Sequence, residues 1–324
     1  MILAGDIGGT STRLGLFDVG NGRPSPRHVA SFTTLDYPGL TAIIAAFARD
    51  AAVRGTEVTA ACFGVAGPVI DGAAQLTNVP WLVRGRDVAE AFDIARVALL
   101  NDLQAMAHAV PVLEEDELHP LQQGVRLAGG NMALVAAGTG LGQALLHNID
   151  RRFVPCPSEG GHADFAARTE REIVVLRELT QRYGRAEVEH VVSGPGLLNL
   201  FAITHTAPCL AIEAPDSPEA PAAITAAALE RRCRGCIDAL DVFVDAYGAE
   251  AGNLALRAMA TAGLFIGGGI APKILPALED GRFMRAFLDK GAMRPLLSRI
   301  PVHVILNKDA GLLGAAVHAE TLVA

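Results

Sequence analysis

Residues 2–17 of this chain read ILAGDIGGTSTRLGLF, and this stretch decides the fold. Its two apolar ends, residues 2–7 and 12–17, predict strands that flank the turn Gly5-Asp6-Ile7-Gly8-Gly9-Thr10. Glycines let the backbone turn tightly and bring amide N–H groups against an anion without interference from a Cβ atom. Thr10 adds a hydroxyl donor. Asp6, at the end of the first strand, is placed to hold Mg²⁺ through water.

Two common phosphate motifs are excluded for this turn. A Walker A loop needs Gly-Lys-Ser/Thr, and a dinucleotide fingerprint needs a helix after its glycines, whereas Ser11 to Phe17 has the pattern of a strand. A simple hairpin with a glycine turn is the alternative, and this segment alone does not separate a hairpin from an anion site.

The same pattern recurs later in the chain. Residues 132–137 and 141–147 predict two strands around Gly138-Thr139-Gly140. A third turn, Gly267-Gly268-Gly269-Ile270-Ala271-Pro272, follows a predicted strand at 264–266 and allows a flat base or sugar to approach closely. Three such turns favour nucleotide binding. The duplicated strand–turn–strand unit predicts two related halves whose turns face each other across a cleft.

Strands and helices alternate along the rest of the sequence. Further strands are predicted at residues 28–34, 58–65, 97–100 and 302–306. Helical spacing predicts helices at residues 38–53, 103–110, 169–183, 196–204, 221–246, 251–261 and 310–322. This alternation indicates α/β layers.

Polar residues in the middle of the chain are candidates for chemistry. Asn101-Asp102 follows an apolar strand, and a carboxylate at that position can take a proton from a hydroxyl. The alternative is that Asp102 caps the following helix. Glu159 and His162 lie beside flexible glycines in residues 158–162, an arrangement that suits the vicinal hydroxyls of a sugar. Glu189 precedes a helix entry and, by itself, is typical of a solvated charge.

Residues 158–162 also have two simpler interpretations. The segment can be an ordinary surface turn, or His162 can ligate a metal with Asp164, although the sequence offers no further Cys/His cluster to complete such a site.

Cys233-Arg234-Gly235-Cys236 is a single C-x-x-C pair in a helical stretch, and without a second pair we expect structural thiols.

Length and composition limit the class of protein. A chain of 324 residues with 51% hydrophobic and 19% charged residues suits two globular domains. The mean hydropathy is +0.32, but the most apolar stretches are broken by glycines or by Arg257, so we predict no membrane span. The net charge of -8 disfavours nucleic acid. Five cysteines, an odd number, and an N-terminus without an export signal predict a cytoplasmic protein.

Together these motifs resemble the bacterial glucokinase family within the hexokinase/actin/Hsp70 superfamily. The resemblance runs nearly end to end, and Ser11 is a small departure because many relatives have asparagine there. The blocks that carry it are residues 3–10 (LAGDIGGT), 76–81 (LTNVPW), 100–102 (LND), 137–142 (AGTGLG), 159–165 (EGGHADF), 193–197 (SGPGL), 267–272 (GGGIAP) and 311–315 (GLLGA).

This resemblance implies a two-domain actin-like ATPase (ribonuclease H-like) fold with a cleft between its domains. A small α/β domain of residues 1–111 and 303–324 would face a larger α+β domain of residues 112–302. The expected reaction is ATP-dependent phosphorylation of glucose at its 6-hydroxyl, the entry step of glycolysis, with Mg²⁺. A homodimer is expected.

The resemblance also implies residue roles. Asp102 would be the catalytic base, and the sugar hydroxyls would bind Asn101, Asp102, Glu159, His162 and Glu189. Gly5, Asp6, Ile7, Gly8, Gly9 and Thr10 would form the first ATP phosphate loop, Gly138, Thr139 and Gly140 the second, and Gly267, Gly268 and Gly269 the adenosine-side turn. The cysteine-rich zinc motif of the related repressor/open-reading-frame/kinase family is absent, so zinc is not expected.

The sequence alone leaves two other functions open. The first is a kinase for mannose, fructose or N-acetylglucosamine, which the loops do not separate from a glucose kinase. The second is a non-catalytic nucleotide clamp or sugar-sensing regulator. A chaperone would need a further substrate-binding module, and a DNA-bound regulator would need a basic helix-turn-helix, which this acidic chain does not offer.

Overall fold

The structure is a computed structural model, and it describes residues 1–20, 22–50, 52–76, 79–205, 209–212, 214 and 217–323. Thr77 and Asn78, in the motif at residues 76–81, lie outside the described residues. The strands are β1 Ile2–Ile7, β2 Ser11–Asp18, β3 Ser25–Thr33, β4 Ala60–Val65, β5 Ala73–Gln75, β6 Leu82–Arg84, β7 Arg96–Asn101, β8 Leu118–Gln122, β9 Met132–Ala137, β10 Leu141–Ile149, β11 Arg152–Ser158, β12 Gly263–Gly267 and β13 Val302–Ile305.

The helices, in chain order, are α1 Leu40–Phe47, α2 Gly85–Phe92, α3 Asp102–Ala109, α4 Glu170–Tyr183, α5 Gly194–Thr204, α6 Ala220–Leu229, α7 Arg234–Ala258, α8 Leu275–Glu279, α9 Arg282–Leu288, α10 Arg294–Leu297 and α11 Ala310–Val323. Among the described residues, none of these helices is both long and apolar enough to cross a membrane.

Two compact units make up the chain: Met1–Glu114 with Asn307–Ala324, and Glu115–Leu306. The sequence assigns residues 303–324, the C-terminal segment that returns to the small domain, to the first unit. In the structure, however, residues 303–305 lie in β13, which pairs with β12 and β8 of the second unit. The returning segment therefore begins at Asn307.

The sheet of the first unit has the order β3-β2-β1-β4-β7. β1 pairs antiparallel with β2, whereas β1, β4 and β7 run parallel. Their carboxyl ends are in register, since Ile7 pairs with Val65 and Val65 pairs with Asn101. The glycine turn after β1 and the Asn101-Asp102 pair after β7 therefore lie at one edge of this sheet.

Two helices of the first unit, α3 and α11, pack on each other at backbone distance. Gly314 of α11 makes this possible, because a Cβ atom there would collide with the carbonyl oxygen of Ala105 in α3. The glycines in the motif at residues 311–315 therefore have a packing role.

The sheet of the second unit repeats this arrangement. Its order is β11-β10-β9-β12-β13-β8, so an antiparallel three-strand meander is again followed by parallel strands. The predicted duplication is thus present in the strand order. The core of this unit includes the buried inner face of α7, where Phe243 and Tyr247 are almost fully buried.

The structure corrects one helix boundary and shortens another helix. We predict helices at residues 221–246 and 251–261, but α7 runs without a break from Arg234 to Ala258, and the break falls at residues 230–233. Gly248 does not end the helix: a Cβ atom there would lie 2.2 Å from the Phe283 carbonyl oxygen, so it allows close packing of α9. The predicted helix at residues 38–53 is reduced to α1.

Candidate active site

The first glycine turn is held by a threonine from a neighbouring element. Thr34 donates its hydroxyl to the Gly8 carbonyl at 2.8 Å and its N–H to the Thr10 carbonyl at 3.0 Å. The Thr34 and Thr12 hydroxyls lie 3.0 Å apart and are buried. Thr34 therefore fixes the shape of the turn, although no sequence motif marks it.

Asp6 lies partly buried near the end of β1. Its pKa is raised to about 6, first because burial disfavours the carboxylate and second because Asp102 carries a like charge; Arg13 opposes both effects. Gly311 leaves room for this side chain, since a Cβ atom there would come within 3.1 Å of Asp6 Oδ2. Arg13 also pairs with Asp309. A carboxylate with this environment suits an oxygen-preferring cation such as Mg²⁺, which would relieve the repulsion.

Asn101, and not Asp102, is the cap of α3. Its Oδ1 accepts the Leu103 N–H at 3.0 Å, and its Nδ2 donates to the Gly67 carbonyl at 3.2 Å. Asp102 is the first residue of the helix and is exposed, and its Oδ1 also accepts the Leu103 N–H, at 2.8 Å. Asn101 therefore occupies the cap position that was the alternative for Asp102, and Asp102 binds the same N–H from the first position of the helix. The Asp102 carboxylate lies close enough to Asp6 for its charge to raise the pKa of Asp6.

The second and third glycine turns lie together in the second unit. The turn Gly138-Thr139-Gly140 follows β9, and the Gly138 carbonyl accepts the N–H of Gly194 at the start of α5 at 2.8 Å. Gly268, with φ of 83°, packs directly on the end of β9, where a Cβ atom would lie 2.3 Å from the Ala137 carbonyl oxygen. Only glycine permits this approach.

Glu189 braces the second turn. Its Oε2 accepts the Leu141 N–H at 2.7 Å, and its backbone N–H donates to the Gly161 carbonyl at 2.9 Å. Gly140 leaves room for this carboxylate, because a Cβ atom at residue 140 would lie 2.6 Å from Glu189 Oε2. The solvated-charge interpretation of Glu189 is wrong, since the side chain is partly buried and bound to the turn.

His162 and Glu159 are exposed in the second unit, around a short 3₁₀ turn at Gly160–His162. His162 Nδ1 lies 2.7 Å from Glu187 Oε2, and this hydrogen bond is the main cause of a raised pKa for His162. The charges of Glu189, Glu187 and Glu159 act in the same direction, while burial opposes them. Three carboxylates and one imidazole are thus brought together.

Glu187 is the member of this group that sequence reasoning missed, because an isolated glutamate carries no motif. Its own pKa is lowered, chiefly by the hydrogen bond from His162. Asp164, the alternative metal-ligand partner of His162, pairs with Arg185 at 2.8 Å, and His162 contacts Glu187.

The structure therefore gathers the predicted residues into two sets. The first unit contains Asp6, the turn at residues 8–10, Asn101 and Asp102. The second unit contains the turns at 138–140 and 267–269 together with Glu159, His162 and Glu189. The first set has two carboxylates, the exposed Asp102 and the partly buried Asp6. The second set has two turns suited to a nucleotide and a polar group suited to sugar hydroxyls.

Comparison with known proteins agrees with these features. Residues 3–322 match the family model described as Glucokinase. A glucokinase from Nostoc sp. (strain PCC 7120) is 39% identical over 342 residues, covering 99% of this chain and 99% of its own. The crystal structure of a glucokinase from an Antarctic psychrotroph has a TM-score of 0.87 and 31% identity, covering 99% of this chain and 98% of its own.

A more distant structure shares the fold alone. A ROK family glucokinase from Streptomyces griseus, in complex with glucose and AMPPNP, has a TM-score of 0.66 at 20% identity, covering 99% of each chain. The strand order and these neighbours define an actin-like ATPase fold of the sugar-kinase type. Within that class, the chain belongs to the glucokinase family.

Proposed function

We propose that this chain transfers the γ-phosphoryl group of ATP to the 6-hydroxyl of glucose, giving glucose 6-phosphate and ADP, as the entry step of glycolysis. The observation that carries the proposal is the position of Asp102: an exposed carboxylate after the parallel strand β7, at the sheet edge that also has the first glycine turn and Asp6. Family membership over residues 3–322 supports the reaction class.

The nucleotide would be held mainly by backbone. The turns at residues 5–10 and 138–140 would direct amide N–H groups at the phosphates, and the turn at 267–269 would lie against the adenosine. Asp6 would hold Mg²⁺ through water. The partial burial of its carboxylate and its raised pKa support this role, because a nearby cation would favour the charged form. When bound, Mg²⁺ neutralises charge on the phosphates.

The sugar would be aligned by carboxylates and imidazole. Asp102 would orient the 6-hydroxyl and accept its proton, while Glu159, His162 and Glu189 would bind other hydroxyls. In the structure, the Asn101 side chain accepts a hydrogen bond from Leu103 and donates one to the Gly67 carbonyl. Asn101 would therefore also fix the end of β7, next to Asp102. Phosphoryl transfer needs mainly such positioning.

The direct test is ATP turnover that depends on added glucose, measured for the wild type and for Asp102→Asn. Removing the base should lower kcat by about 10²-fold or more while sugar affinity changes less. Asp116→Asn, an exposed aspartate on a 3₁₀ turn, is the matched control and should leave turnover unchanged. Full turnover in folded Asp102→Asn would contradict the assignment of the base.

Substrate choice, location and assembly extend this proposal. A hexose panel with glucose, mannose, fructose and N-acetylglucosamine should show the highest kcat/KM for glucose.

All five cysteines are unpaired, which fits a cytoplasmic enzyme. The proposed homodimer rests on the family resemblance, and sedimentation equilibrium should give twice the 33.8 kDa chain mass.

A further inference from the structure

A cluster of metal-binding side chains lies in the second unit and has no part in the proposed reaction. It brings together the residue at the end of α5, Cys209 and the start of α7. The nitrogen and sulfur ligand atoms all lie within 4.8 Å of one another, and they belong to His205, Cys209, Cys233 and Cys236. The C-x-x-C pair, Cys233 and Cys236, therefore lies beside a second pair of candidate ligands, His205 and Cys209, from an earlier part of the chain.

The spacing of these atoms matches a tetrahedral zinc site. Zn–S bonds of about 2.3 Å and Zn–N bonds of about 2.0 Å give ligand-to-ligand edges of roughly 3.5–3.8 Å. Cys233 Sγ lies 3.3 Å from His205 Nε2 and 3.4 Å from Cys209 Sγ. Cys236 Sγ lies 3.9 Å from both of these partners. The four distances bracket the tetrahedral edges.

A disulfide does not account for the cluster. The S–S bond of a disulfide is about 2.05 Å long, whereas Cys209 and Cys233 are separated by 3.4 Å and every cysteine of the chain is unpaired. A group of hydrogen-bonded thiols would not require an imidazole nitrogen within 4.8 Å of all three sulfurs.

The histidine is oriented for ligation. Its Nδ1 lies 2.8 Å from the Phe201 carbonyl oxygen, an acceptor that holds the proton on Nδ1 and leaves the Nε2 lone pair toward the sulfurs. Gly235 makes room for the ring, because a Cβ atom there would lie 2.5 Å from His205 Nε2. Such backbone support of a histidine is usual around bound metals.

Helix α7 presents its two cysteines at its amino end. Cys233 is the cap residue and Cys236 lies in the first turn, where the helix dipole favours negative sulfur. The spacings also fit: His205 and Cys209 are separated by three residues, and Cys233 and Cys236 by two, both within the ranges of structural zinc sites.

We propose that His205, Cys209, Cys233 and Cys236 bind one structural Zn²⁺. Four protein ligands close the coordination sphere, so the metal has a structural and not a catalytic role. On binding, the thiols give up their protons to solvent. The metal joins the end of α5 to the start of α7, while the first residue of α5 contacts the glycine turn at Gly138. This site replaces the expectation of isolated structural thiols.

Zinc content of the purified chain tests the proposal directly. Elemental analysis after exhaustive dialysis should find about one zinc per chain in the wild type and in Cys156→Ser, the matched control, whose exposed cysteine lies on β11 outside the cluster. Cys233→Ser combined with Cys236→Ser should lose at least about nine-tenths of the metal. A metal-free wild type, or full zinc in the double variant, would overturn the site.

A ligand exchange keeps the test decisive where serine variants fold poorly. Cys209→His retains four good zinc ligands and should keep the metal, whereas Cys209→Ser should release most of it. With Co²⁺ in place of zinc, the wild type should show the visible absorption of tetrahedral thiolate ligation. Non-reducing peptide mapping that finds a cystine within the cluster would refute the proposal.

The structural role has its own measurement. Removing the metal from the wild type with a chelator should lower the thermal midpoint by roughly 5 °C or more, a loss of a few kcal/mol in a chain of this size. Re-adding Zn²⁺ should restore it. An unchanged midpoint after complete metal removal would overturn the structural role, and this result does not depend on kinase activity.

Discussion

Replacing Asp6 with asparagine should make the nucleotide-free protein more stable and, at the same time, remove magnesium-dependent ATP binding. The carboxylate is partly buried, and the negative charge of Asp102 acts on it. Both effects disfavour the ionised form in the folded state, and the Arg13 guanidinium offsets them only in part. An amide of the same shape has no charge to bury.

The size of the effect follows from the pKa difference. The pKa is about 6 in the folded chain, against an ordinary value of 3.8 for an aspartate. The folded state therefore binds more protons between these values, and wild-type stability decreases as pH rises through this window. Compared with a residue that does not titrate, the cost is about 1.6 kcal/mol at pH 5 and about 3 kcal/mol at pH 8. The gain in Asp6→Asn should increase with pH accordingly.

Urea unfolding of the wild type and Asp6→Asn at pH 5, 6, 7 and 8 measures this gain. Asp116→Asn, at an exposed position, controls for loss of net charge. A second series with Mg²⁺ and ATP should stabilise the wild type but not Asp6→Asn. If Asp6→Asn is less stable than the wild type at pH 8, or if its gain in stability does not change with pH, then the ionised Asp6 carboxylate does not destabilise the folded chain and the reasoning is refuted.

Three further predictions follow from single contacts. Gly140→Ala should displace the Glu189 carboxylate by steric contact and lower kcat/KM by roughly tenfold, about 1.4 kcal/mol, in a coupled assay; an unchanged value would show that the turn tolerates the methyl group. Glu187→Gln should lower the pKa of His162 in an NMR titration, because its main hydrogen-bond partner loses its charge; an unshifted titration would exclude this partner. Burial lowers the pKa of His108 to about 4, so its neutral form contributes stability that is lost as pH falls from about 6.5 to 4, by up to about 3 kcal/mol; His108→Gln should abolish that part of the acid sensitivity in urea unfolding, and an unchanged pH dependence would contradict it.

The sequence predicts the strands around each glycine turn well, because apolar runs bounded by glycine leave few alternatives. It fails where tertiary contacts decide. Gly248 has the appearance of a helix end, yet it lies inside α7 because α9 packs against its backbone. The role of Glu187 depends on a histidine 25 residues away. Cys233 meets His205 and Cys209, which lie 28 and 24 positions earlier in the chain. No local pattern encodes such long-range meetings.

The duplicated strand order explains why two similar turns have different chemistry. In the first unit, β1 pairs Asp6 with Gly64 of β4; in the second, β9 pairs Ala136 with Gly267 of β12. The two pairs occupy the same place in the repeated topology, so the position of Asp6 corresponds to that of Ala136. The first turn therefore has a carboxylate that can hold a cation, at a cost in stability. The second lacks one and is braced from outside by Glu189, which binds the Leu141 backbone. On the proposed function, both turns of the duplicated scaffold would bind phosphate, and only the first, which has Asp6 where the second has Ala136, would also hold the cation.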